Sequence, residues 1–102
     1  MRYGLPPVAE RIQALKDQGC DRILLFPLYP QYSASTTATA LDKCYEALQA
    51  MRWQPAIRTV PPYFDESAHI EALAQSLEAH LAGLDWQPDL ILASFHGLPK
   101  SY

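Results

Sequence analysis

A chain of 102 residues, 49% hydrophobic, 19% charged and with a net charge of -3, has the size and composition of a single soluble globular unit; a disordered chain is excluded. No basic footprint for nucleic acid is present, and the longest uncharged stretch, residues 23–41, is broken by Pro27 and Pro30 and rich in hydroxyls, unlike the ~20 apolar residues that span a bilayer. The opening Met-Arg-Tyr-Gly lacks a signal-peptide pattern, so the expected location is the reducing cytoplasm, with Cys20 and Cys44 as free thiols of no metal-binding spacing.

Helical and strand periods alternate along the chain. A first helix opens at Pro6-Pro7, where proline suits the first turn, carries Val8, Ile12 and Leu15 on one face and stops at Gly19. Residues 22–28 (RILLFPL) form an apolar run expected to be a strand buried on both faces. After a loop over residues 29–33, a second helix repeats Leu41, Cys44, Tyr45, Leu48 and Met51 as its buried stripe, with Asp42, Lys43, Glu46 and Gln49 opposite. Pro55 ends that region, and residues 56–60 (AIRTV) make a second strand closed by Pro61-Pro62. Asp65 is the expected N-cap of a third helix, which places Ile70, Leu73, Ala74, Leu77, Leu81 and Leu84 three and four apart and terminates near Gly83. Residues 90–95 are the third expected strand.

Three alternations of helix and strand predict an α/β fold: a parallel sheet with right-handed crossover helices covering its faces. The chain starts on a helix with no strand to feed it and stops soon after a strand, as expected for an internal piece of a longer α/β protein.

Ligands of open parallel sheets bind beyond the carboxyl ends of the strands, and two unusual stretches occupy such ends. The first, residues 28–37, gathers Tyr29, Gln31, Tyr32, Ser33, Ser35, Thr36 and Thr37 around a strand-to-helix turn. Its plain reading is a helix cap from Ser33 or Ser35, with the tyrosines covering apolar surface. Its functional reading is an aromatic-walled pocket with hydroxyl donors for an anionic ligand group, helped by the helix N-terminus. The second stretch is Phe95-His96-Gly97-Leu98-Pro99. His96 is either a hydrogen-bonded structural residue or an imidazole left uncrowded by Gly97 at a crevice, able to hold a metal or take up a proton. His69 and His80, eleven positions apart on the third helix, are about three turns from each other and read as surface residues. Arg2 and Tyr3 precede the first helix where a preceding strand would end; they read either as part of the same crevice or as solvated end residues.

The runs LFPLYPQYSASTTATA (residues 25–40) and DLILASFHGLPKSY (residues 89–102) closely resemble the ferrochelatase family, whose enzymes insert ferrous iron into protoporphyrin IX to make protohaem. MRYG (residues 1–4) and YFDESAHIEALAQSL (residues 63–77) resemble the same family in the same order, so the likeness covers the whole chain. The resemblance implies a much longer enzyme of two doubly wound α/β halves around a porphyrin cleft, with this chain as the C-terminal part of the first half. It implies that His96 matches the family's essential histidine, as metal ligand, as acceptor of pyrrole protons, or both. It implies further that Tyr29, Ser33 and Ser35 match the cleft-side Y-P-Q-Y-S-x-S run, and Arg2 with Tyr3 the R-Y pair near the porphyrin. The acidic residues that the family places opposite the histidine belong to the second half, and none is matched here.

The partners implied are protoporphyrin IX, ferrous iron as substrate and the remainder of the same chain, with no tightly bound cofactor. Alone, the 102 residues are expected to be inactive and, having exposed sheet edges, to self-associate. Two alternatives stand beside this: a cobalt or iron chelatase for a sirohydrochlorin-type tetrapyrrole, against which the Y-P-Q-Y-S run argues, and a non-catalytic tetrapyrrole-binding module.

Overall fold

Helix α1 spans Val8–Asp17, and its beginning and end follow from local chemistry. Pro7, extended at φ -65° and ψ 147°, sits just ahead of the first turn, where a missing N–H costs nothing. At the other end the Gly19 N–H donates to the Lys16 carbonyl at 2.9 Å and the Cys20 N–H to the Leu15 carbonyl at 3.0 Å. This Schellman closure needs a residue of positive φ, and Gly19 supplies it at +90°. The computed structural model describes residue 4 and residues 6–102, which form two compact units divided between Pro62 and Tyr63.

The first unit continues with strand β1 (Arg22–Leu25), a π-helical turn (Ala34–Ala38), helix α2 (Thr39–Gln49) and strand β2 (Ala56–Thr59). β1 and β2 pair in parallel, Arg22 opposite Ala56 through Leu25 opposite Thr59, with α2 as the crossover. The protein is therefore α/β with a parallel sheet, as its alternating pattern predicts.

One face of β1 is buried, not both. Ile23 and Leu25 join Ile12 of α1 and Leu48 of α2 in the core, whereas Leu24 between them is 62% exposed. Strand side chains alternate between faces, and both packed helices, α1 and α2, meet the Ile23 and Leu25 side. The strand is also shorter than the apolar run suggests: it ends at Leu25, and residues 26–28 lie outside it. Val8, Leu41, Cys44, Ala47, Met51 and Ile57 pack around the four-residue core, so the expected stripe of the second helix is present, with Tyr45 at its exposed margin. Burial pushes the Cys44 thiol above its ordinary range, which keeps it protonated and unreactive near neutral pH. Both cysteines are free thiols.

In the second unit helix α3 spans Ser67–Ala82. The position ahead of its first turn is held by Glu66 rather than Asp65, without a side-chain capping bond. His69 is half-buried, its ring edge-on to Tyr63 at 5.4 Å, so it is not the plain surface residue its sequence suggests; His80 is exposed. The apolar stripe of α3 is not buried: Ile70, Leu73 and Leu77 are each about half exposed. Residues 90–95 adopt no regular structure, which corrects the third expected strand. Apolar residues there call for burial, but a strand exists only where a neighbour satisfies its backbone N–H and C=O groups. No helix among the described residues is long and apolar enough to cross a membrane.

Candidate functional site

The chain leaves β1 at Leu25 and re-enters helix at Ala34, and between them it presents two phenols: Tyr29 is 46% and Tyr32 56% exposed. The turn that follows winds as a π-helix because its backbone and side-chain bonds both reach back five residues. The Ala38 N–H donates to the Ser33 carbonyl at 3.2 Å, and the Thr39 hydroxyl donates to the Ala34 carbonyl at 2.7 Å. Hydroxyl side chains compete with the helical backbone for such acceptors, and Ser33, Ser35, Thr36, Thr37 and Thr39 crowd this single turn.

Ser33 occupies the cap position but does not cap. Its hydroxyl bonds to the Thr36 hydroxyl at 2.8 Å and to the Ser35 hydroxyl at 3.1 Å, and the residue is only 2% exposed. Ser35 is exposed. Thr37 is buried as well, and its hydroxyl donates to the Gln31 carbonyl at 3.5 Å, tying the turn to the tyrosine loop. The structure thus brings Ser33 and Ser35 together in the first unit. It adds Thr36 and Thr37, which were noted in the sequence only as part of a hydroxyl-rich run; their signal was the density of hydroxyls at a helix start.

A cleft of about 340 Å³ opens between α1, β1 and α2, lined chiefly by Ile12, Leu15, Ile23, Phe26, Leu41 and Cys44. It continues the apolar core, and none of Tyr29, Ser33 and Ser35 of the same unit lines it. Its walls are mainly apolar and offer shape, with Arg11 and Cys44 contributing polar groups.

His96 lies in the second unit, in the irregular segment before the turn in which the Tyr102 N–H donates to the Pro99 carbonyl at 3.0 Å. It is exposed, and a Cβ added at the neighbouring Gly97 would meet nothing within 4 Å. Gly97 itself does not take a positive φ. Among the described residues no three His, Cys, Asp or Glu side chains cluster to hold a metal ion. Arg2 and Tyr3 lie outside the described residues.

The sequence matches the family described as Ferrochelatase over residues 1–102. It is 67% identical over 102 residues to the ferrochelatase of Rhizobium etli and 67% to that of Rhizobium meliloti, in each case across 100% of this chain and 30% of the relative. The ferrochelatase of Chelativorans sp. is 57% identical over the same 102 residues, 29% of its length. The chain therefore spans about 30% of the length of the curated relatives it matches. No solved structure matches it.

Proposed function

Because the chain belongs to the ferrochelatase family, we propose that it is the C-terminal part of the first α/β half of a longer protohaem ferro-lyase. The full-length protein inserts ferrous iron into protoporphyrin IX. The observation that carries this is the 67% identity to Rhizobium etli ferrochelatase across all 102 residues. Its partners are protoporphyrin IX, ferrous iron and the remainder of the same chain; the iron is substrate, and this stretch holds no tight cofactor. The two free thiols support a reducing cytoplasm as its location.

Iron enters a porphyrin only after the two pyrrole N–H protons leave and the nitrogen lone pairs turn to one side, so the protein must favour a distorted ring and provide a base. His96 is the residue assigned to this step. Its imidazole accepts the two pyrrole protons one after the other, passing each to water, delivers the iron through one nitrogen, or does both in turn. A lone histidine suits delivery, since tight sites need several ligands and the metal must pass on to the porphyrin. Tyr29 and Ser35, both exposed, supply part of the cleft wall with Ser33 behind them, and Arg2 with Tyr3 contributes beside the porphyrin.

The test gives protoporphyrin and a sirohydrochlorin-type tetrapyrrole, each with ferrous iron and without oxygen, to the full-length protein and to residues 1–102 alone. Metallation of protoporphyrin by the full-length protein only is expected, because the short chain offers one wall of a cleft. Preference for the sirohydrochlorin-type ring, binding without insertion, or steady turnover by residues 1–102 would each contradict the corresponding part of the proposal.

A further inference from the structure

Two of the side chains buried among the described residues are hydroxyls rather than apolar groups, Ser33 and Thr37, and both belong to the turn after the tyrosine loop. Burying a hydroxyl without a partner is costly, so the partners show what the burial maintains. Ser33 lies at the middle of a three-hydroxyl chain, 2.8 Å from Thr36 Oγ1 and 3.1 Å from Ser35 Oγ. Its carbonyl also accepts the Thr36 and Ala38 N–H groups at 3.3 and 3.2 Å, which fixes the backbone on which all three stand. Ser33 is 2% exposed and presents no surface to a ligand, whereas Ser35 is exposed.

Each hydroxyl has one proton to give. If Ser35 gives its proton to a ligand, it must accept from Ser33, and Ser33 must then accept from Thr36. The chain has one direction in that state, and hydrogen bonds in series polarise one another. We propose that Thr36 and Ser33 are positioning residues that hold the Ser35 hydroxyl with its proton turned outward, toward an anionic group on the edge of the tetrapyrrole. This rests on the function proposed above, and it divides the labour of the turn: Ser35 touches the substrate, while Ser33 and Thr36 act through it.

The experiment titrates the full-length protein with protoporphyrin and, in parallel, with its dimethyl ester, which has no carboxylate, and follows binding by absorbance. Ser33→Ala and Thr36→Val are expected to weaken protoporphyrin binding about tenfold, the effect of a hydrogen bond to a charged group. Ester binding and the thermal midpoint of Thr36→Val should stay as in the unsubstituted protein, and Thr36→Ser, which keeps the hydroxyl, should restore protoporphyrin affinity. Equal losses for acid and ester would make the turn merely structural and overturn the proposal, as would unchanged affinity in Thr36→Val or the absence of porphyrin binding by the unsubstituted protein. Metal insertion is read separately, so failure of the ferro-lyase function, with porphyrin binding intact, is distinguishable from failure of this inference.

Discussion

In the full-length protein, His96→Ala is expected to lower the rate of iron insertion by about 10²–10⁴-fold, the usual contribution of a positioned acid–base group, while porphyrin binding is retained. The expected size follows from the chemistry, since two N–H protons must leave the ring before the metal can enter. The fold should tolerate the change because the side chain is exposed and makes no hydrogen bond or ion pair with a described residue. Insertion and porphyrin affinity are measured on the same preparation by absorbance. Loss of insertion with affinity intact puts His96 in the reaction; unchanged insertion returns it to a structural role.

A second large effect concerns stability. Leu48 is 6% exposed in the four-residue core of the first unit, and truncating such a leucine costs about 2–5 kcal/mol through lost transfer energy and the cavity left behind. At about 0.05–0.15 kcal/mol per residue, a unit of this size, residues 1–62, has roughly 3–9 kcal/mol in total. Leu48→Ala in residues 1–102 should therefore shift urea unfolding far toward lower concentration or abolish the folded state. Leu73→Ala, at a residue of α3 that is 58% exposed, should change stability by less than about 0.5 kcal/mol. Equal effects of the two substitutions would contradict the placement of the core.

Those two leucines also show how far the sequence could be read. Both occupy helical stripes of the same kind, and periodicity alone assigns both to a core. The stripe of α2 finds Ile12, Ile23 and Leu25 to pack against; in the stripe of α3, Ile70, Leu73 and Leu77 stay about half exposed. Periodicity states which face of a helix prefers burial and says nothing about what is available to cover it. The same limit explains residues 90–95, where apolar composition indicates a strand but pairing depends on a partner. Where the cause is local the reading holds: Gly19 ends α1 because the closing turn needs a positive φ; the run Ala56–Thr59 is a strand because β1 is there to pair with it.

The site divides along the same line. Tyr29 and Ser35 stand exposed around a strand-to-helix turn, where the alternation of elements puts them. The interior position of Ser33 and the participation of Thr36 and Thr37 were not legible, because they follow from the π winding of the turn. That winding accompanies bonds from the Thr37 and Thr39 hydroxyls to backbone carbonyls, while the Ser33 hydroxyl bonds those of Ser35 and Thr36, a pattern that no single residue announces. His96 stands out in the sequence through its neighbours Gly97 and Pro99, and the residue is exposed.

Iron insertion by the full-length protein is tested most directly by mixing it anaerobically with protoporphyrin IX and ferrous iron and recording the visible spectrum with time. Catalytic replacement of the free-base porphyrin bands by those of protohaem, faster than in protein-free solution, is the predicted result. A spectrum that changes no faster than the protein-free control would contradict the ferro-lyase function.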